Sequence, residues 1–200
     1  MCGAISILPP DAIVNSADLD ISPGANATVN FNMLGVDASL DNTTEYFVSA
    51  TAAPTGALLA GPEGKLRYAS ADSVVMTQIS LKIDSGGDVK AVIGANVSPD
   101  VFRMGVRVTG SLGALFDGGA ILTNFDAETE APLFIYLFAD STAASEFLVI
   151  KIPNAKINSA NKASDGPAQV VSGDFTAGKY TAGSTVIEGS TIVLHDSSVA

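Results

Sequence analysis

The feature that most constrains the fold of this chain is the alternation of apolar and polar residues at every second position, which recurs along most of its 200 residues. In segment 73–84, one side is formed by Val75, Thr77, Ile79, Leu81 and Ile83. In segment 104–116, one side is formed by Met104, Val106, Val108, Leu112, Ala114 and Phe116. Because successive side chains of a β-strand point to opposite faces, this pattern predicts strands with one buried and one solvated face.

Weaker alternation predicts further strands between clear turn signals. We expect them at 27–37, 133–138, 146–152 with a weak continuation to 158, 168–177 and 190–195. The stretches "SPGAN" (22–26), "DSGGD" (84–88) and "DGP" (165–167) mark breaks between strands. Of these, 84–88 is expected to form a tight hairpin in which both glycines supply positive φ angles.

Two segments depart from the strand pattern. Residues 117–130 favour a short helix, because Ile121, Leu122 and Phe125 follow a helical spacing among acidic residues. Residues 38–72 show little periodicity, so we expect a long irregular loop there. The predicted fold class is therefore mainly β, with a single domain over 1–200. That domain is an antiparallel β-sandwich or barrel with one short flanking α-helix and a long loop.

Composition argues against most kinds of chemistry. The chain has 21 Asp and Glu against 10 Lys and Arg, and a net charge of −11 repels nucleic-acid phosphate. One cysteine, Cys2, and one histidine, His195, exclude an intrachain disulfide and the usual zinc ligand sets. His195 is expected to be an exposed residue at a strand end. The acids of "DLDIS" (18–22) and "DSGGD" leave calcium open, although such spacing usually forms a turn.

These observations lead us to expect no enzyme activity, no cofactor and no metal site. The longest apolar run, 131–139, is much shorter than the roughly 18–20 residues that span a bilayer, so no membrane association is expected. A β protein with scarce bases and one long loop is typical of a building block that acts through its edges and faces.

Residues 97–140, "VSPDVFRMGVRVTGSLGALFDGGAILTNFDAETEAPLFIYLFAD", resemble the tail tube proteins of long-tailed bacteriophages. That family has a "G-R-x-x-V-T-G" strand, an "F-D" end, a short helix with a phenylalanine, an acidic "E-T-E-A" and an apolar strand. The matching positions are Gly105, Arg107, Val108, Thr109, Gly110, Phe116, Asp117, Phe125, Glu128, Thr129, Glu130 and Ala131. Pro153 and Lys156 match a later "L-P-x-x-K" strand, and the ordered resemblance covers 27–196.

The resemblance implies a structural virion protein that forms hexameric rings, which stack into a tail tube and conduct DNA during ejection. It implies assembly in the host cytoplasm, contacts with a tape-measure protein and other tail proteins, and DNA passing through the lumen without specific binding. Loop 38–72 would then be an arm that contacts a neighbouring ring. The polar sides of 73–84 and 104–116 are the predicted lumen surface, with candidate residues Gln78, Ser80, Lys82, Asp84, Arg107, Thr109 and Ser111.

Two alternatives remain open on the sequence. One is a β-sandwich module that binds carbohydrate or protein on a virion or cell surface. The other is the related tube of a contractile injection machine or a gene-transfer particle.

Overall fold

The computed structural model describes residues 6–8, 12–36, 39–41, 59, 64–69, 71–73, 76–90, 92–95, 98–115, 120–142, 146–165, 168–179 and 191–197. The strands in this part are β1 Ser6–Leu8, β2 Ile13–Ile21, β3 Thr28–Leu34, β4 Ser39–Asp41, β5 Lys65–Tyr68, β6 Ala71–Ser73, β7 Met76–Asp84, β8 Asp88–Val89, β9 Val101–Phe102, β10 Arg107–Leu115, β11 Glu130–Phe138, β12 Phe147–Asp165, β13 Ala168–Gly178 and β14 Val193–Asp196. Helix α1 spans Ala120–Asp126.

Most of these strands belong to one large sheet. Its strand order is β3-β2-β7-β10-β13-β12-β11-β5-β6, and β14 pairs with β12 beside this path. The pairings whose register is defined are antiparallel, and β12 and β13 form the longest of them, from Asn154 opposite Gly178 to Asp165 opposite Ala168. Two smaller ladders join β1 to β4 and β8 to β9. The structure therefore confirms the predicted class, mainly antiparallel β with a short helix.

Two compact units can be distinguished by their internal contacts. The first comprises Met1–Ala17, Phe31–Thr55 and Asp84–Val106, and the second comprises Asp18–Asn30, Gly56–Ile83 and Arg107–Ala200. The hydrophobic core lies in the second unit. It is a single cluster of buried side chains, contributed by strands β2, β5, β7, β10, β11, β12 and β13. Because strands far apart in the sheet order share this cluster, the sheet of the second unit curls around it.

The alternation seen in the sequence accounts for this core. Leu133, Ile135 and Leu137 of β11 are at most 1% exposed, while the residues between them are only half-buried. Ile79 and Leu81 of β7 and Val108, Leu112 and Ala114 of β10 are also buried. Helix α1 covers part of this cluster, since Ile121 and Phe125 pack against it. Among the described helices, none is long and apolar enough to cross a membrane.

Some expectations about local structure were wrong. Strand β10 begins only at Arg107, so Met104 and Val106 precede it and are 71% and 59% exposed instead of belonging to the core. The described part of 38–72 includes β4 and β5, so that segment is not an irregular loop throughout. Residues 84–88 lead from β7 into β8, which pairs with β9, and only Gly86 has a positive φ angle.

Candidate assembly surfaces

A polar groove lies on the face of the second unit's sheet that points away from the core. It is a concavity of about 550 Å³. Its floor is formed by neighbouring strands of the sheet, because β2, β7, β10, β13 and β12 are consecutive in the strand order. The lining residues are Asp18, Asp20, Ser80, Leu81, Lys82, Arg107, Thr109, Gly110, Ser111, Asn158, Asp174, Phe175 and Thr176.

Hydrogen bonds between side chains join adjacent strands across this groove. The hydroxyl oxygens of Ser80 on β7 and Ser111 on β10 are 2.8 Å apart. Asn158 Nδ2 donates to Thr176 Oγ1 at 2.6 Å. Ser159 Oγ donates to Asp174 Oδ2 at 2.9 Å. The groove is thus lined by short polar groups that already bond to one another, and its described lining contains neither histidine nor cysteine.

Five of the seven predicted lumen residues come together in this groove: Ser80, Lys82, Arg107, Thr109 and Ser111. Gln78 is exposed on β7 but does not line the groove. Asp84 belongs to the first unit, where its Oδ1 accepts a hydrogen bond from the Gly86 backbone N–H at 2.8 Å. Whether the groove faces a lumen stays a prediction.

The groove residues contributed by β2, β12 and β13 were not predicted from the sequence. Asp18 and Asp20 alternate with the buried Leu19 and Ile21, although their spacing alone indicated no more than a possible calcium site. Asp174 and Thr176 alternate with the buried Phe175 in the same way. The alternation was visible, but the pairing of β10 with β13 joins residues 55 to 67 positions apart, and no local pattern specifies it. His195, by contrast, is exposed on β14 as predicted.

Strand β3 is an uncovered edge of the large sheet. It lies at one end of the strand order, and within the described residues only β2 pairs with it. Phe31 and Met33 share one side of β3 and are 64% and 65% exposed, so this apolar side of the strand lies in solvent. An exposed edge with apolar side chains invites pairing with another chain.

The first unit has an unusually apolar surface. It holds eight of the twelve large hydrophobic side chains that are exposed among the described residues: Val14, Phe31, Met33, Val92, Ile93, Phe102, Met104 and Val106. Ile93, at the turn after β8, is as exposed as a free side chain, with a relative accessibility of 107%. Scattered apolar residues are ordinary on protein surfaces, but such a concentration in one unit is typical of a surface that a partner covers.

A mainly β chain with an uncovered edge strand and a concentration of exposed apolar residues is typical of a structural subunit. The chain belongs to the phage tail tube protein family, whose model matches residues 4–190. None of the curated proteins compared with it matches the chain. Family membership makes the protein a structural component of the virion tail, which assembles with other tail proteins.

Proposed function

We propose that copies of this chain join into hexameric rings, and that the rings stack into a tube through which DNA leaves the virion. The uncovered edge of β3 is the observation that carries this proposal. In the part of the chain that the structure describes, the outer edge of β3 pairs with no further strand, and the side chains of Phe31 and Met33 are exposed. Pairing β3 with a strand of the next copy supplies hydrogen-bond partners along this edge and buries Phe31 and Met33. Ring closure then removes the edge from every copy.

The polar groove would then form part of the tube lumen. Its charged residues are three acids, Asp18, Asp20 and Asp174, and two bases, Lys82 and Arg107, so they offer no basic surface that would hold phosphate. Its bonded hydroxyl and amide groups support neither catalysis nor cofactor binding, and the protein acts as a non-enzymatic conduit. The tape-measure protein before ejection and DNA during it are the partners that this role requires.

Two further parts of the proposal concern assembly. The segment 38–72 would serve as an arm toward a neighbouring ring. Its described strands are β4, β5 and the first two residues of β6, and most of its other residues lie outside the described part of the chain. Assembly would occur in the host cytoplasm.

Charge placed on β3 tests the proposal. In the double variant Phe31→Lys/Met33→Lys, both exposed apolar side chains become cations, which resist burial in an interface. Burial of two such side chains contributes about 3 kcal/mol, so the protein concentration needed for assembly should rise by roughly 100-fold. Assembly is measured by sedimentation velocity over a concentration series, and six-fold rings and tubes are counted by negative-stain electron microscopy.

Thr28→Lys/Asn30→Lys is the matched control, because Thr28 and Asn30 lie on the other side of β3, are also exposed and add the same two charges. This variant should assemble nearly as the unsubstituted chain does. A chain that stays monomeric at all concentrations, or that assembles equally well with both cations on β3, would contradict the proposal.

A further inference from the structure

A second surface stands out on the outer face of the sheet around β11. Phe134, Tyr136 and Phe138 alternate with the buried residues of that strand and stack along it. Their ring centroids are 6.1 Å and 6.5 Å apart, and the ring planes differ by 10° and 3°. These side chains remain half-buried, so the described structure leaves part of an ordered aromatic row in contact with solvent.

Basic residues flank this row on both neighbouring strands. On β5, Arg67 lies opposite Phe134 and Lys65 lies opposite Tyr136. On β12, Lys151 lies opposite Phe134, and its Nζ is 5.5 Å from the centre of that ring. We call Phe134, Tyr136, Phe138, Lys65, Arg67 and Lys151 the aromatic–basic band. It contains three of the ten Lys and Arg residues of a chain whose net charge is −11.

We propose that the aromatic–basic band binds a second copy of this chain through its acidic segment, Asp126–Glu130. This inference rests on the proposed function and assigns one contact between subunits to named residues. Charge complementarity supports it, because copies that each carry −11 repel one another unless bases are concentrated where acids of the neighbour meet them. Aromatic rings beside the bases exclude water and strengthen these charge pairs.

The acidic segment is suited to this contact by its exposure and its fixed shape. It holds three carboxylates in five residues, and all five residues are exposed. Three backbone hydrogen bonds hold the turn: Ala127 N to Thr123 O, Glu128 N to Phe125 O and Thr129 N to Asn124 O. A preformed segment loses little conformational entropy on binding. The segment adjoins the band, because Glu130 lies on the same side of β11 as Phe134. The proposed contact runs in one direction, from the band of one copy to the segment of the next, and is therefore the heterologous kind that a ring or a stack requires.

Charge reversal on each side of the contact tests the inference. Lys65→Glu/Lys151→Glu reverses the band, and Asp126→Lys/Glu130→Lys reverses the segment while leaving the Glu128–Lys156 ion pair intact. Each double variant alone should need a protein concentration at least roughly tenfold higher for assembly. An equimolar mixture of the two should assemble near the concentration of the unsubstituted protein, because each reversed surface then meets its complement.

Lys162→Glu/Lys179→Glu is the control with the same change in net charge as the band variant, and both of its positions are exposed and outside the band. Circular dichroism establishes that every variant is folded. The inference is overturned, with the proposed function intact, if the unsubstituted chain forms tubes and the reversed variants do so equally well. It is also overturned if the mixture assembles no better than its components. If the unsubstituted chain does not assemble, the proposed function and this contact both fail.

Discussion

Gly110 shows how a single residue sets the spacing of the sheet. It lies on β10 opposite Phe175 of β13, whose buried ring covers the position that a side chain at Gly110 would occupy. A Cβ atom there would overlap the Ser80 carbonyl oxygen and would lie 2.5 Å from Phe175 Cζ. The glycine within the "V-T-G" stretch therefore permits the close approach of β7, β10 and the Phe175 ring.

We expect Gly110→Ala to lower the free energy of unfolding by about 2–3 kcal/mol, because the Ser80 backbone and a fully buried ring must both move. Gly178→Ala is the matched control in the same sheet, since a Cβ atom there meets Asn154 only at the ordinary distance of 3.6 Å. Urea unfolding followed by circular dichroism measures both. Equal stability of the two variants would show that the sheet relaxes around Gly110.

Burial of Tyr68 makes the stability of the fold depend on pH in the alkaline range. Its side chain is buried on β5, and its hydroxyl lies beside Asn124 without a well-formed hydrogen bond among the described residues. Burial raises the pKa of this hydroxyl above its usual value of 10.0, and Asn124 offsets part of that effect. Above pH 10 the unfolded phenol ionises first, so the folded state binds more protons and stability falls as pH rises.

The expected result is a loss of stability between pH 9 and pH 11 that is smaller in Tyr68→Phe, measured by urea unfolding at each pH. Below pH 9 the phenol is protonated in both states, so its titration contributes no pH dependence there. An identical pH profile for the two proteins would contradict the burial of an ionisable hydroxyl at this position.

At the scale of elements, the end of α1 carries backbone strain. Glu128 follows the helix with a φ angle of 50°, in the left-handed region that favours glycine. The bonds from Glu128 N to Phe125 O and from Thr129 N to Asn124 O are those of a Schellman motif, in which this position is usually glycine. Glu128 also pairs with Lys156 at 3.1 Å, on a largely solvated surface.

Glu128→Gly should therefore raise the free energy of unfolding by about 0.5–1 kcal/mol, since relief of the strained φ angle outweighs an exposed ion pair. Glu128→Gln keeps the strain and removes the charge, so its stability should change by less than about 0.5 kcal/mol. Thermal unfolding of both variants separates the two effects. Because neither variant carries the carboxylate, a glycine variant less stable than the glutamine variant would contradict the backbone strain at Glu128.

The elements also show what periodicity can and cannot predict. Strands β7, β10, β11 and β13 were predicted because apolar residues recur at every second position along much of each strand, although Leu112–Ala114 of β10 are buried consecutively. Strand β2 was missed because "IVNSADLDI" begins with two adjacent apolar residues and is buried on alternate positions only toward its end. Strand β5 has four residues, too few for a periodic signal.

Periodicity predicts less about the candidate surfaces than about the strands. Alternation placed Phe31 and Met33 on one side of a strand, but it could not show that this side is uncovered, because burial depends on which elements pack there. Alternation alone could not predict the aromatic–basic band either. Its rings were visible as alternate residues of "LFIYLF", whereas Lys65 and Lys151 reach them only through strand pairing.

At the scale of the whole molecule, the two compact units carry different features. The second holds the buried core, the polar groove and the aromatic–basic band. The first holds most of the exposed large hydrophobic residues. A chain with these surfaces and a net charge of −11 has apolar contacts that favour association and a charge that opposes it. Assembly should therefore depend strongly on protein concentration.

Electron cryomicroscopy of particles formed by the purified chain at high concentration tests the central claim most directly. We expect stacked six-fold rings in which β3 pairs with a strand of the adjacent copy, and in which Lys82, Arg107 and Thr109 face the lumen. A particle that leaves β3 unpaired and Phe31 in solvent would contradict the claim, as would a chain that remains monomeric under these conditions.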